Sequence, residues 1–342
     1  MSSDFHLSTA PQVDRPVCIL GLGLIGGCLL RDLSSVGWEV FGWNRSESTV
    51  RAAKRSGFDV TADLIEVLQR AEEEGALIVL GVPVPGIPAI LDAIAEHAPS
   101  VGFTDVTSVK KEVHDLVEEH GLTERFVGGH PMAGTANSGW GASMKGLFRG
   151  AVWVVTYDNA VENGQGEHAQ LWLDTWKRVV LMAEAVGASA VPTVARRHDA
   201  AVARISHLPH VLAEVLAVTG DIGGPLSLTL AAGSFRDATR VAGTEPELVR
   251  AMCENNRDAL VTALDEALEL LNQARADIAA PDSDIRRLAD EGHASRLRFE
   301  ARAGRRAGDA PQRPIIRVQP GARKWVDQLR SAESMGAQIG IF

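Results

Sequence analysis

Cysteine is scarce in this 342-residue chain, and the three that occur, Cys18, Cys28 and Cys253, are scattered and odd in number. They offer neither a disulfide framework nor metal-ligand spacing, which fits a reducing compartment and small core thiols. Long apolar runs are lacking too: no stretch approaches the roughly 18 consecutive apolar residues of a membrane-spanning helix. Residues 1–14 are polar, carry Asp4 and Asp14, and show no basic start followed by an apolar core, so no secretory signal is expected. Runs of Lys and Arg are missing, and the formal net charge is −10. Binding a phosphate backbone needs a basic face, so nucleic acid is not an expected partner, whereas a small anion held by a few placed arginines is compatible with this balance. No internal repeat or low-complexity segment stands out. The expectation is a cytoplasmic protein with a small-molecule ligand and no membrane association.

The chain is long enough for two domains. Its composition, 45% apolar and 23% charged, is ordinary for a globular fold. From Pro16 onward, short apolar runs ("VCILG", "EVFGW", "ALIVLGV", "GFTDV", "RFVGG", "AVWVVT") alternate with amphipathic stretches. Such alternation predicts βαβ units on a parallel sheet covered on both faces. From Pro192 strand signals vanish, and residues 196–219, 226–241 and 245–279 show helical periodicity. Thr244 with Glu247 reads as a capping box and Pro246 as a first-turn proline, so a long helix is expected to start there. Beyond Pro281 the sequence reads as one charged helix, then a loop or extended tail at "APQRPIIRVQPGARKW".

Gly21, Gly23 and Gly26 form "GLGLIG", a loop that also carries Leu24 and Ile25 toward the cofactor, between the strand "VCIL" and a helix expected over Gly27 to Val36. The first glycine permits a tight turn, the second lets a pyrophosphate approach the backbone, and the third lets helix pack on strand. This is a dinucleotide-binding loop in its required context. A site for NAD usually carries Asp or Glu about 20 residues further on, to bond the ribose 2′-hydroxyl. Here the second strand ends in Asn44, Arg45 and Ser46. A carboxylate would repel a 2′-phosphate, whereas Arg45 offers it a fork of donors and Ser46 a hydroxyl. NADP is therefore favoured, with NAD possible. Val82 and Pro83 follow another strand, where the chain would pass beneath the cofactor.

At the same sheet edge "FTDVTSVK" places Asp105, expected to face the cofactor, and Ser108. "FVGGHPMAGT" brings out His130, with Pro131 biasing it toward extended backbone and two glycines allowing close approach. In "RRHDAAVARISHLPH", Asp199, Ala203, Ser206 and His210 fall at spacings of four, three and four, forming one helical stripe, and Pro209 is expected to kink it. Arg236 and Arg240 are four apart in "SFRDATR". If that stretch is helical they share a face, and they repel unless an anion lies between them or acids surround them.

In this order, "GLGLIGG", "DVTSVK", "GGHPMAGT", "SHLPH" and "GSFRDATR" resemble the prephenate/arogenate dehydrogenases of tyrosine biosynthesis, over roughly residues 16–275. The resemblance implies an α/β, Rossmann-type dinucleotide-binding domain followed by an all-α dimerisation and substrate domain, with the active site in the cleft between them and a homodimer through the helical half. The expected boundaries are 15–191 and 192–281, leaving 282–342 without an assigned role. It also implies oxidative decarboxylation of a cyclohexadiene. His130 would be the general base on the 4-hydroxyl, Ser108 would orient it, Arg240 with Arg236 would bind a carboxylate, and Ser206, His210 and Asp199 would line the far wall. Several prephenate-using relatives carry a glutamate just after "HPxAGT". Ala136 stands there, which together with the NADP-like strand end turns the expectation toward arogenate, with prephenate as the alternative. β-Hydroxyacid dehydrogenases share this architecture but rely on a lysine in the helical half, and none lies between Lys177 and Lys324. A non-enzymatic NADP-sensing protein would keep the glycine loop yet need neither His130 nor the arginines.

Overall fold

The computed structural model describes residues 15–135, 137–162, 169–303 and 313–342. The chain divides into two compact units, one built from the chain up to Ala195 and again from Arg313 to Phe342, the other from Arg196 to Gln312.

In the first unit β1 (Val17–Leu20), β2 (Val40–Trp43), β3 (Val60–Thr61), β4 (Leu77–Leu80), β5 (Phe103–Asp105) and β6 (Phe126–Val127) form one sheet in the order β3-β2-β1-β4-β5-β6. Every pairing in it is parallel. This is the strand order of dinucleotide-binding sheets, with the direction of winding reversing between β1 and β4. The central runs VCIL and LIVL have no polar member and are wholly buried, so they need cover on both faces. On one face Val17, Ile19, Leu77 and Val79 pack with Leu29, Leu30 and Leu33 of α1 (Leu24–Ser35) and with Val50 and Ala53 of α2 (Glu47–Arg55). On the other, Cys18, Leu20, Ile78 and Leu80 pack with α3 (Leu64–Glu74), α4 (Ile87–His97) and α5 (Lys111–Glu119). Burial pushes the Cys18 thiol pKa up, so it is an inert core group.

The run "AVWVVT", expected in this same sheet, lies in a second one. There β7 (Gly129–Pro131) pairs antiparallel with β8 (Val152–Thr156), which pairs in parallel with β9 (Ser189–Thr193). The crossover from β8 to β9 contains α6 (Asp158–Glu162) and α7 (Ala169–Ala185). Gly128 and Gly129 make the change of sheet possible. A Cβ on Gly128 would lie 2.9 Å from Thr156, and one on Gly129 would lie 2.6 Å from the Asp105 carbonyl oxygen.

The second unit is helical. α8 (Ala195–Val202) leads through a π-turn, Ala203–His207, into α9 (Leu208–Ile222). Pro209 has no amide hydrogen to give the preceding turn, and the widened turn absorbs that loss. The region expected as one helix over 226–241 is α10 (Gly224–Leu230), α11 (Gly233–Ala238) and a 3-10 turn, Arg240–Gly243. α12 (Pro246–Glu254) does begin at Pro246, but it stops at Glu254 rather than running on as the long helix expected, Glu245 is its N-cap, and the expected capping box is not made. Instead the Thr244 hydroxyl lies 3.4 Å from His210 Nε2. The remaining helices are α13 (Arg257–Ala279) and α14 (Arg286–Ala303).

The expected tail is structured. β10 (Ile315–Val318) and β11 (Gln338–Ile341) pair in parallel around α15 (Trp325–Met335) and belong to the first unit. Trp325 packs against Trp172 and Trp176 of α7, and Glu333 accepts hydrogen bonds from Tyr157 Oη and Thr193 Oγ1, both at 2.7 Å.

Candidate active site

The three loop glycines have three separate jobs. Gly21 turns the chain at φ +107°, and a Cβ there would lie 2.6 Å from the Gly81 carbonyl. Gly26 packs α1 on β1: a Cβ would stand 2.0 Å from the Gly21 oxygen and 3.2 Å from Ile19 Cγ2. Gly23 is the N-cap of α1, and a Cβ there would meet nothing within 4 Å. That helix has no side-chain cap and no acid in its first turn. Its amides and positive end are left for an anion, which is the arrangement a dinucleotide pyrophosphate requires. Leu24 and Ile25 open the helix and pack partly into the core.

Asn44 braces this loop, its Oδ1 accepting from the Leu22 amide at 2.9 Å. Ser46 is the N-cap of α2 and accepts from the Thr49 amide at 3.4 Å, so its oxygen has structural work beside any ligand. Arg45 between them is exposed and, among the described residues, has no carboxylate partner. Val82, half-buried, and Pro83, exposed, follow β4. These groups therefore line the carboxyl ends of three neighbouring strands, β2, β1 and β4, where open parallel sheets bind ligands.

Asp105 corrects an expectation. It is 0% exposed and turned inward: Oδ1 accepts from the Gly129 amide at 3.0 Å, and Oδ2 accepts from the Thr107 amide at 3.0 Å and from Lys110 Nζ. Burial with four internal donors, the Thr107 hydroxyl being the fourth, leaves it no surface for a cofactor. Lys110, which sequence reasoning missed, is 1% exposed and also donates to the Gly129 carbonyl at 2.6 Å and to Thr107 Oγ1 at 3.2 Å. A lysine next to Lys111 carries no local sign of burial. Ser108 is exposed in the turn that this ion pair closes, and His130, half-buried, follows the glycine that the pair grips. The structure thus brings the Ser108 turn against the His130 strand. His130 is the middle residue of β7, opposite Val154, rather than the free end of a strand of the main sheet.

In the helical unit, Asp199 is 4% exposed, and its Oδ1 accepts from His198 Nδ1 at 2.7 Å. Asn256, also missed, donates from Nδ2 to the Asp199 carbonyl at 2.9 Å and to His207 Nδ1 at 3.1 Å. Enclosed in this network, His207 has its pKa lowered to about 4 by burial, against the pull of Asp199. Asp199 is thus part of a buried brace rather than an open wall. Ser206 and His210 are half-buried, with His210 Nδ1 donating to the Ser206 carbonyl at 2.9 Å. Arg236 lies in α11 and Arg240 opens the 3-10 turn, so the shared α-helical face expected for them is broken at Thr239. Both are exposed, and among the described residues neither pairs with an acid.

Large apolar side chains are exposed on this unit, among them Val218, Ile222, Leu226 and Leu230. Among the described residues one helix, Ala195–Ile222, is long and apolar enough to cross a membrane by length and composition alone. Sequence inspection for uninterrupted apolar runs passes over it because Arg204, Glu214 and Asp221 punctuate it.

Comparison with known proteins agrees with both units. Residues 30–182 match the family model for the prephenate dehydrogenase nucleotide-binding domain, and 194–290 that for the prephenate dehydrogenase dimerization domain. A prephenate dehydrogenase of Lactococcus lactis is 30% identical over 302 residues, 85% of this chain and 79% of its own length. A Corynebacterium glutamicum structure, provisionally described as a prephenate dehydrogenase, is 56% identical with a TM-score of 0.91, covering 97% of this chain and 100% of that one. The arogenate dehydrogenase of Synechocystis is 30% identical with a TM-score of 0.68, covering 83% of this chain and 99% of that one. With a dinucleotide loop of the right geometry and this coverage by its relatives, the chain belongs to the prephenate/arogenate dehydrogenase family of NAD(P)-dependent oxidoreductases.

Proposed function

We propose that this enzyme oxidatively decarboxylates L-arogenate to L-tyrosine with NADP. The observation that carries the cofactor choice is the end of β2: it has no carboxylate, and an exposed, acid-free Arg45 can fork onto a 2′-phosphate. For the substrate the support is Ala136, which lies outside the described residues. Several prephenate-using relatives carry a glutamate there, and its replacement, together with the NADP-like end of β2, makes the chain resemble the arogenate-using members of the family. The names of the L. lactis and C. glutamicum relatives favour a second reading, prephenate oxidised to 4-hydroxyphenylpyruvate with NAD or NADP.

The first-turn amides of α1 hold the pyrophosphate. When bound, the nicotinamide supplies the hydride acceptor. Neutral His130 takes the proton of the 4-hydroxyl as hydride leaves C4, and Ser108 bonds the hydroxyl or the imidazole to fix its direction. Carbon dioxide leaves from C1, the electron pair it leaves behind aromatises the ring to a phenolate, and the proton held by His130 returns to that oxygen to give the phenol. Arg240, supported by Arg236, neutralises substrate carboxylate. The exposed apolar helix faces are covered by a second copy of the chain, making a homodimer, because contiguous apolar surface of this kind marks an interface. A cytoplasmic location is part of the same reading, in keeping with free thiols at Cys18, Cys28 and Cys253.

A four-way assay tests this: arogenate or prephenate, each with NADP or NAD, following reduced cofactor. The highest kcat/KM is expected for arogenate with NADP. A preference for prephenate would replace the substrate assignment, and a preference for NAD the cofactor assignment.

A further inference from the structure

We infer that the buried Asp105–Lys110 pair is a positioning device that aims His130 and Ser108 together. The inference rests on the proposed role of His130 as the base and adds to it the element that holds the base in place.

Both members of the pair are enclosed, at 0% and 1% exposure. A buried ion pair is poor at adding stability, since the loss of hydration offsets the attraction and apolar residues of similar volume serve as well. Its geometry is informative instead. Asp105 Oδ1 takes the amide of Gly129 at 3.0 Å, and Lys110 Nζ gives to the carbonyl of the same residue at 2.6 Å. Both backbone groups of the residue immediately before His130 are therefore clamped. Gly129 must be bare for this, because a Cβ would stand 2.6 Å from the Asp105 carbonyl oxygen.

The same pair closes the turn that carries Ser108. The third ammonium hydrogen goes to Thr107 Oγ1 at 3.2 Å, and the Thr107 amide returns to Asp105 Oδ2 at 3.0 Å. All three hydrogens of the ammonium and both oxygens of the carboxylate are thus used, with residues 105–110 drawn into a ring. His130 sits 25 positions from Asp105 in the chain, yet one salt bridge sets its backbone and that of Ser108. Catalysis by an oriented base is sensitive to displacements of about 1 Å. Lys110 and Asp105, both enclosed, act through His130 rather than on substrate or cofactor.

The test is a double-mutant cycle between the pair and His130. Asp105→Asn with Lys110→Met leaves no unpaired buried charge. The side-chain oxygen of the introduced amide can still accept from the Gly129 N–H, while the Gly129 carbonyl loses its donor. In this paired variant kcat should fall tenfold or more, while the substrate KM and the Kd for NADP stay within twofold. An unchanged kcat would overturn the inference, as would parallel loss of kcat, KM and cofactor affinity, which would mark a loosened core. The second measurement adds the same paired substitution to His130→Asn. No further loss of residual turnover is expected, because the base being aimed is already gone; losses that multiply would overturn the positioning role. If His130→Asn by itself turns over normally, the assignment of the base fails, which is a different result from additivity in a chain whose turnover depends on His130.

Discussion

Gly23 and Gly26 lie three residues apart, and the structure predicts opposite phenotypes for the same substitution. For Gly26→Ala the new methyl would sit 2.0 Å from the Gly21 carbonyl oxygen, where Cβ contacts below 3.0 Å essentially do not occur. Loop and helix must part by about 1 Å, and overpacking of this sort typically costs about 1–3 kcal/mol or more. The gain in helix propensity, about 1 kcal/mol, offsets only part of it. A net loss of about 2 kcal/mol corresponds to a fall in Tm of roughly 4–8 °C for a domain of this size. For Gly23→Ala nothing lies within 4 Å, and φ is −77°, which alanine adopts freely. The only stability cost is a poorer N-cap, about 1 kcal/mol or less. The methyl occupies the space that the pyrophosphate must enter, so NADP affinity should fall at least tenfold, about 1.4 kcal/mol. All seven tryptophans, Trp38, Trp43, Trp140, Trp153, Trp172, Trp176 and Trp325, belong to the first unit, so melting followed by tryptophan fluorescence reports on that unit alone. Calorimetric titration with NADP gives the affinity. Gly23→Ala binding NADP as tightly as the parent, or Gly26→Ala melting at the parent temperature, would refute the division of labour argued from these distances.

Arg45→Ala should raise the KM for NADP at least tenfold while changing that for NAD less than twofold; equal effects would end the 2′-phosphate assignment. His130→Asn should lower kcat by about a hundredfold or more, the usual scale for a general base, with the substrate Kd from equilibrium binding unchanged. His207 binds protons more weakly folded than unfolded, so its contribution to stability is complete above the ordinary value of 6.5 and is lost as pH falls toward about 4. The helical unit, followed by far-UV circular dichroism in urea, should lose on the order of 2 kcal/mol across that window. His207→Gln should flatten the dependence, and an unaltered slope would show that another group is responsible. Val218→Glu places a charge on the exposed apolar face of α9 and should shift the sedimentation mass toward that of one chain; a mass unchanged from that of the parent would remove that face from the interface.

How far the sequence could be read depended on the range of the contacts involved. The glycine loop was legible because turn, close approach and helix packing are settled within six residues, Gly21 to Gly26. The buried runs VCIL and LIVL announced a doubly covered sheet because their apolar character leaves no other solution. Pro246 marked the start of α12 for an equally local reason, its fixed φ and missing donor. The supposed capping box failed on a distant contact, since His210 lies beside the Thr244 hydroxyl. The helix expected over 226–241 failed at Ala231 and Ala232, whose side chains give no warning of the break.

His130 drew notice for its setting between two glycines and a proline, but the reason for those glycines came from the structure. They let bare backbone pass between Asp105 and Thr156, so that the chain changes sheets. β10 and β11, short and separated by 19 residues, had no pattern strong enough to be read as a parallel pair. Composition and short-range pattern by themselves determined the fold class, the dinucleotide loop and the absence of a carboxylate at the end of β2, and the resemblance of five short motifs pointed to the family. The tertiary structure alone decided that Asp105 faces inward, that Lys110 is buried with it, that Asp199 and His207 share a brace with Asn256, and that the C-terminal strands return to the first unit. Each of those depends on which groups enclose a side chain after distant segments meet, and an aspartate or lysine carries the same local signature whether water or protein surrounds it.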